Sequence, residues 1–212
     1  MVLTNGVPNF AHLYPILVPS RIGTGKLREV VDFARELGAG GATLIQLREK
    51  DASSREILRL AREMRRALDG EVRLIVNDRA DLAVAAGADG VHLGQDDLPA
   101  GAARKIIGSV RVLGISTHNR QQLEEAVRTS ADYFAIGPVF PTHSKDNPDP
   151  IIGLDAIRQL RAFTSKPLVA IGGITVENCR SVIEAGADSV AVITAILDAP
   201  RERTAQFLEQ MR

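Results

Sequence analysis

Short apolar runs alternate with amphipathic stretches along the whole chain. The runs are rich in Val, Ile and Leu and do not alternate strictly between apolar and polar residues, which is typical of strands buried on both faces. They predict eight strands, at residues 15–18, 42–47, 72–76, 90–93, 110–115, 133–136, 168–171 and 189–193.

Helical periodicity fills most of the intervals between these runs. Apolar residues recur with the i, i+3, i+4, i+7 spacing of a buried helix face, most clearly in residues 27–37 and 57–68. Ser53, with Glu56 three residues later, predicts a capping box at the start of the second of these helices. The helix expected before Val110 has the weakest pattern.

The alternation of strand and helix predicts an α/β fold, a (β/α)₈ TIM barrel that forms a single domain over residues 1–212. Residues 1–12 are expected to be an N-terminal tail or a cover for the barrel bottom. An open doubly wound sheet is the alternative, and the absence of an early glycine-rich dinucleotide turn disfavours it. A short motif that ends in Asp recurs before predicted strands, as Gly87-Ala88-Asp89, Ser130-Ala131-Asp132 and Gly186-Ala187-Asp188.

Charge and cysteine content narrow the range of partners. The chain has 26 Lys and Arg against 26 Asp and Glu, so the basic face that nucleic acid requires is not expected. No apolar run is long enough to cross a membrane, and residues 1–10 lack the pattern of a signal peptide. The single cysteine, Cys179, excludes an internal disulfide, which fits a cytoplasmic protein. Small molecules are the expected partners, and a homo-oligomer is compatible with the sequence.

Polar side chains follow almost every predicted strand. In a barrel of this type the chemistry lies at the carboxyl ends of the strands, so these side chains are expected to converge. The groups in question are Gln46, Arg48, Glu49, Lys50, Asn77, Asp78, Gln95, Asp96, Asp97, Ser116, Thr117, His118, Thr142, His143, Ser144, Lys145, Gly172, Gly173, Ile193 and Thr194.

Asp78 and Asp97 follow neighbouring strands, so their carboxylates are expected to meet. Two carboxylates without a His or Cys partner favour a hard cation with oxygen ligands, above all Mg²⁺. Arg48, Lys50 and Lys145 could neutralise phosphate oxygens beside that cation. In the alternative interpretation, each Asp caps the helix that follows it and the charges after strand 2 are simply solvated.

Gly172-Gly173 and Ile193-Thr194 follow the last two strands, where such barrels often bind a phosphate through backbone N–H groups. A plain tight turn is the alternative. Together with the cations near strands 2–4, this position predicts two anionic sites, one for a metal pyrophosphate and one for a monophosphate.

The segment 137–152 is long for a connection in a barrel and holds four prolines, which is typical of a lid or a binding loop. His118 either takes part in acid–base chemistry or orders the loop after strand 5. His92 is interpreted as a buried histidine with satisfied hydrogen bonds, and Cys179 as a packing residue.

Six strings in these regions resemble signatures of the thiamine phosphate synthase (thiamine-phosphate pyrophosphorylase) family and occur in that family's order. The likeness covers roughly residues 44–196. The strings are QLREKD (46–51), VNDRADLA (76–83), GADGVHLGQDDLP (87–99), GISTH (114–118), GPVFPTHSK (137–145) and AIGGI (170–174).

The resemblance implies a Mg²⁺-dependent transferase that joins 4-amino-2-methyl-5-(diphosphooxymethyl)pyrimidine to 4-methyl-5-(2-phosphoethyl)thiazole, or its carboxylated form. Pyrophosphate would leave first and the thiazole nitrogen would capture the pyrimidine methyl cation, so no protein nucleophile is needed. The catalytic groups it implies are Arg48, Lys50, Ser116 and Lys145.

The resemblance also assigns binding residues. Asp78 and Asp97 would bind Mg²⁺. The pyrimidine pyrophosphate would be held by Gln46, Leu47, Arg48, Glu49, Lys50, Asn77, Ser116 and Lys145. The thiazole phosphate would be held by Thr142, His143, Ser144, Gly173, Ile193 and Thr194.

The chain departs from the family's pattern in three places. Ser144 stands where the family often has Thr, and Thr194 where it often has Ser, so both hydroxyls are kept. Strand 1 ends in Pro19-Ser20 instead of Thr-Asp, which puts the contact from that strand in doubt. Three other functions are alternatives for a barrel of this kind: a thiazole tautomerase paralogue, a non-catalytic regulatory barrel that binds a phosphate ligand, and a sugar-phosphate epimerase.

Overall fold

The computed structural model describes residues 10–68, 70–142 and 149–212. In these ranges parallel strands close into a barrel in the order β1 to β8, and β1 pairs with β8. The predicted (β/α)₈ barrel is confirmed. The strands are β1 (Leu13–Leu17), β2 (Leu44–Leu47), β3 (Arg73–Asn77), β4 (Gly90–Leu93), β5 (Val112–Thr117), β6 (Tyr133–Ile136), β7 (Leu168–Ile171) and β8 (Ser189–Val192).

Helices follow the strands and cover the outside of the barrel. The helix α2 begins with the predicted capping box, because Ser53 and Glu56 exchange hydrogen bonds. The helices are α1 (Leu27–Ala39), α2 (Ser54–Ala67), α3 (Ala80–Ala86), α4 (Ala100–Ile107), α5 (Arg120–Val127), α6 (Gly153–Leu160), α7 (Cys179–Glu184) and α8 (Pro200–Gln210). No helix in the described ranges is long and apolar enough to cross a membrane.

The predicted limits of β1 and β5 are wrong by a few residues. β5 begins at Val112 instead of Val110, whose side chain is 93% exposed before the strand. It continues through Ser116 to Thr117, which pairs with β6, so these residues lie within the strand. β1 begins at Leu13 because this residue pairs with β8. The limits follow from pairing with neighbouring strands, which hydrophobic runs do not record.

The buried residues form two clusters. The larger one lies between the strands and the helices, whereas the smaller one fills the barrel interior and includes Tyr14, Ile75, Tyr133 and Val169. Phe10 packs against Tyr133 with 4.9 Å between ring centroids, just before β1 begins. Of the N-terminal segment expected to be a tail or cover, residues 1–9 lie outside the described residues.

The recurring Asp motif forms a bridge at the amino ends of three strands. Asp89, Asp132 and Asp188 precede β4, β6 and β8, and each accepts the backbone N–H of a residue in the strand before it. Each carboxylate also pairs with an arginine, namely Arg65, Arg104 and Arg161 respectively. We call these contacts the Asp–Arg bridges. They lie at the opposite end of the barrel from the carboxyl ends of the strands.

Candidate active site

A cavity of about 390 Å³ opens at the carboxyl ends of the strands. Side chains or backbone from several strand ends line it, so part of the predicted polar set converges as expected, whereas Gln95 and Asp96 do not line it. Among the residues singled out in the sequence, its walls include Gln46, Arg48, Asn77, Ser116, Thr117, His118, Thr142, Gly172, Gly173, Ile193 and Thr194.

The residues of the QLREK string point in different directions. Gln46 and Arg48 line the cavity, whereas the Leu47 side chain lies in the outer cluster because successive residues of a strand face opposite sides. Glu49 turns towards the end of β1, where its Oε2 accepts the Ser20 N–H at 2.8 Å. Lys50 is exposed. Only part of this string therefore reaches the cavity wall through its side chains.

Asp78 and Asp97 meet beside the cavity, as expected from their positions after β3 and β4. The carboxyl group of Asp78 lies within hydrogen-bonding reach of that of Asp97. Burial, the contact with Asp97 and its negative charge raise the pKa of Asp78 to about 6, while Lys50 and Arg48 oppose that rise. Two carboxylates held this close repel each other when both are ionised, and a cation between them would relieve the repulsion.

Three further observations set this pair apart from ordinary helix caps. Neither α3 nor α4 begins with a side-chain cap bond, so the helix-cap interpretation is wrong. Asp78 has a left-handed backbone with φ 63°, which is uncommon for a residue other than glycine. Asp97 Oδ2 is itself positioned by the Gly94 N–H at 2.6 Å.

The donor set fits Mg²⁺ better than a softer metal. Within the described ranges, no group of three or more His, Cys, Asp or Glu side chains could hold a metal ion. Mg²⁺ is commonly bound by one or two carboxylates, with phosphate oxygens and water as its other ligands. Asp78 and Asp97 would supply the carboxylates of such a site.

The glycines after β7 support the neighbouring loop. Gly172 and Gly173 have φ values of 102° and 64°, which side-chain-bearing residues rarely adopt. A Cβ atom on Gly173 would lie 2.4 Å from the Pro141 carbonyl oxygen and 2.7 Å from Phe140 Cβ. The glycine is therefore required for close packing of the loop after β6, whether or not a phosphate also approaches its backbone.

The loop from 137 to 152 is described at both ends. Thr142 lines the cavity, while His143, Ser144 and Lys145 lie outside the described residues. His118 Nδ1 lies 2.9 Å from the Gly137 carbonyl oxygen and 3.3 Å from Asp149 Oδ2. It thus contacts the start and the end of the loop after β6, which is a different loop from the one after β5 that it was expected to order.

Two cavity residues, Tyr14 and His92, were not predicted as part of the site. His92 is buried and satisfied, as expected, with Nδ1 2.8 Å from the Tyr133 hydroxyl and Nε2 2.8 Å from Ser116 Oγ. It nevertheless also lines the cavity, as does Tyr14. Burial lowers the pKa of His92 to about 4, so its imidazole is neutral near pH 7. The signal missed in the sequence is that these polar residues occupy inward-facing strand positions.

Fold and site together define a class: a (β/α)₈-barrel protein with a polar cavity at the carboxyl ends of its strands. The sequence pattern of the family described as "Thiamine monophosphate synthase" matches residues 13–196. The chain belongs to this family.

Individual relatives agree with that assignment. The thiamine-phosphate synthase of Koribacter versatilis is 60% identical over 86% of this chain and 87% of its own length. That of Chlorobium phaeovibrioides is 48% identical over 82% and 84%. A solved structure, thiamine phosphate pyrophosphorylase from Pyrococcus furiosus, superposes with a TM-score of 0.82 at 34% identity and covers 94% of both chains.

Proposed function

We propose that this chain catalyses the formation of thiamine phosphate from a pyrimidine methyl pyrophosphate and a thiazole phosphate. The observation that carries the proposal is one cavity whose lining includes both Arg48, Asn77 and Ser116, from the ends of β2, β3 and β5, and Gly173 and Thr194, from the ends of β7 and β8. One cavity with anion-binding groups on two sides suits two substrates that each bring a phosphate group and must react with each other.

Different residues of the cavity act on the departing pyrophosphate and on the carbon that reacts. Arg48 and the Ser116 hydroxyl hold the pyrophosphate while the bond between its oxygen and the pyrimidine methyl carbon breaks, with the electron pair leaving on oxygen. The thiazole nitrogen then supplies the electron pair of the new C–N bond. The apolar inner wall, which includes Ile16 and Val169, keeps water away from the carbon that reacts.

Asp78 and Asp97 would hold Mg²⁺ next to the pyrophosphate. Bound there, the ion would neutralise the negative charge that develops on the leaving group. The proposed role of Lys145 rests on the family resemblance alone, because this residue lies outside the described ranges.

The direct test is to mix the purified protein with both substrates and Mg²⁺. We expect stoichiometric release of pyrophosphate and appearance of thiamine phosphate, and loss of both products with EDTA. The tautomerase alternative predicts isomerisation of a thiazole phosphate without any pyrophosphate release, and that result would overturn the proposal.

A further inference from the structure

A chain of hydrogen bonds crosses the barrel interior and joins two polar residues of the cavity. Gln46 Nε2 donates to the Tyr14 hydroxyl at 2.9 Å, and the Tyr14 and Tyr133 hydroxyls are 2.9 Å apart. The Tyr133 hydroxyl lies 2.8 Å from His92 Nδ1, and His92 Nε2 lies 2.8 Å from Ser116 Oγ. We call this the interior chain. It links β2, β1, β6, β4 and β5 in that order.

The interior chain has little access to solvent. Tyr14 and Gln46 are 1% exposed, Tyr133 is 0% exposed and His92 is 6% exposed. Each polar hydrogen of these residues therefore needs a partner within the interior chain, because a buried group without a partner costs about 1–3 kcal/mol. Burial also raises the pKa of both tyrosines, so their hydroxyl groups remain protonated.

Because partners are scarce, every hydrogen bond of the interior chain is donated in the same direction, from Gln46 towards Ser116. The amide nitrogen of Gln46 can only donate, so the Tyr14 oxygen accepts and its proton points to Tyr133. The Tyr133 oxygen has then accepted, and its own proton points to His92 Nδ1. A neutral imidazole that accepts at Nδ1 carries its proton at Nε2, which donates to Ser116 Oγ.

The last link determines what Ser116 presents to a ligand. Because its oxygen accepts from His92, the hydroxyl proton of Ser116 is turned away from the interior and towards the cavity that Ser116 lines. With the opposite direction, Ser116 would donate to His92 and offer only lone pairs to an anion, which would repel it.

We propose that the interior chain fixes the Nε2–H tautomer of His92 and thereby makes Ser116 a hydrogen-bond donor to the anionic substrate. His92 and Tyr133 are positioning residues in this scheme. Tyr133 acts only through His92 and Ser116, since Tyr133 itself does not line the cavity. The role at the pyrophosphate rests on the proposed function, whereas the tautomer itself does not.

The packing around Tyr133 supports this role, because a glycine makes room for its ring to reach His92. Gly114 lies between His92 and Tyr133 in the register of the sheet, paired with both. A Cβ atom on Gly114 would lie 2.1 Å from Tyr133 Cζ and 2.3 Å from its hydroxyl oxygen. Only glycine at this position lets the Tyr133 ring cross β5 and reach the imidazole of His92, with 5.5 Å between ring centroids.

The first test reads the tautomer directly. Protein labelled with ¹⁵N-histidine is studied by long-range ¹H–¹⁵N NMR near neutral pH, and the His92 signals are assigned from their loss in His92→Gln. We expect the Nε2–H form alone. An Nδ1–H form or a mixture would overturn the proposal, even if the protein proved inactive and the proposed function failed.

A matched pair of variants tests which hydroxyl controls the tautomer. Tyr133→Phe removes the donor to Nδ1, so His92 should become a mixture of tautomers. Tyr14→Phe also removes a hydroxyl group, but from the residue that precedes Tyr133 in the interior chain. The Tyr133 proton then still has His92 as its partner, so the Nε2–H form should persist. A purely structural role for the two rings predicts no difference between the variants in the His92 signals.

The kinetic test is a double-mutant cycle. Tyr133→Phe should lower kcat about 10-fold, with KM for the pyrimidine substrate changed less than about twofold, because the lost contact strengthens as the leaving group gains charge. In a Ser116→Ala background the same change should have almost no further effect on kcat. Additive losses would show that Tyr133 does not act through Ser116.

A conservative pair at His92 provides the rescue. His92→Gln keeps an amide nitrogen near the position of Nε2 and should retain much of the kcat, whereas His92→Asn reaches only the position of Nδ1 and should resemble Ser116→Ala. Equal losses in the two variants would contradict the proposal.

Discussion

At the scale of single residues, Asp78 combines three features that are unfavourable for folding. Its carboxyl group is half-buried, it faces a second carboxylate, and its backbone is left-handed. A carboxyl group whose pKa is raised by folding stabilises the protein when protonated and loses that contribution as the pH rises through about 6. Residues that cost stability at neutral pH are typical of functional sites.

Asp78→Asn is expected to have opposite effects on stability and activity. Asn tolerates the left-handed backbone and removes one negative charge, so Tm at pH 7.5 without Mg²⁺ should rise. The Mg²⁺ concentration for half-maximal turnover should rise about 10-fold or more, because one of the two proposed ligands of the ion is lost. Thermal unfolding and Mg²⁺ titration of the rate measure the two effects.

The neighbouring Asp81→Asn serves as the control for this change. Asp81 is exposed and pairs with Arg79 on the surface, so its loss should leave the Mg²⁺ requirement unchanged. An unaltered requirement in Asp78→Asn itself would show that this carboxylate is not a metal ligand.

Cys179 illustrates a residue whose role is packing. It is fully buried in α7, and its Sγ donates to the Val176 carbonyl oxygen at 3.3 Å. Cys179→Ala should lower the free energy of unfolding by about 1 kcal/mol and leave kcat unchanged. A large fall in kcat at unchanged stability, measured by denaturant titration and steady-state kinetics, would show that the packing interpretation is wrong.

At the scale of elements, the hydrophobic pattern is sufficient to predict the barrel but not the direction of every side chain. The limits of β4, β6 and β7 agree with the predicted runs. In contrast, the motif around Arg48 does not reveal that Leu47 faces the helices or that Glu49 bonds to Ser20, just beyond the end of β1. The direction of these side chains depends on where the strand ends, and the end of a strand is set by its pairing with neighbouring strands.

Long-range contacts were the least predictable part of the site. The contact between His92 and Tyr133 joins residues 41 positions apart, and that between Tyr14 and Tyr133 spans 119. Periodicity describes neighbours along one element, so it correctly indicated that His92 is buried without indicating what it touches. Convergence of polar groups at the strand ends was predictable because the topology of the barrel alone requires it.

The loop after β6 depends on a contact from a different element. His118, after β5, touches Gly137 and Asp149 at the two ends of that loop. His118→Ala should therefore raise KM for the thiazole phosphate. The reason is that Thr142, which the family resemblance assigns to that substrate, lies in the loop. His118→Asn should restore most of the affinity, because an Asn side-chain nitrogen can replace Nδ1 as donor to the Gly137 carbonyl.

Steady-state kinetics with each substrate varied in turn would measure this effect. Acid–base chemistry by His118 predicts the reverse pattern, in which both variants lose kcat equally and Asn gives no rescue. That outcome would contradict the ordering role.

At the scale of the whole molecule, the two ends of the barrel carry different functions. The cavity occupies the carboxyl ends of the strands, and the Asp–Arg bridges occupy the amino ends. In barrels of this type, residues at the amino end serve stability. Each bridge ties two neighbouring strands and an arginine from the preceding helical segment.

Asp132→Ala should destabilise the protein without changing its kinetics. Asp132 accepts from the Leu113 N–H at 2.7 Å and pairs with Arg104 at 2.7 Å, while its side chain is about one-third exposed. A charge-assisted contact of this kind is worth about 1–2 kcal/mol after allowance for solvent. Denaturant unfolding measures the loss.

The matched control is Asp155→Ala. Asp155 also pairs with an arginine, Arg158, but its side chain is 88% exposed and its contact is confined to one helix. Its removal should change stability by less than about 0.5 kcal/mol. Equal effects of the two substitutions would mean that the bridge contributes no more than a surface ion pair.

The separation of the bridges from the cavity has a consequence for how this barrel can acquire new specificities. Most substitutions that alter a binding cavity also cost stability, and a protein tolerates them only while a reserve remains. Here that reserve can be enlarged at the end of the barrel that never meets a substrate. A library of cavity variants built on a background with strengthened Asp–Arg bridges should therefore yield more folded members, and more new activities, than the same library in which Asp132 and Asp188 have been replaced.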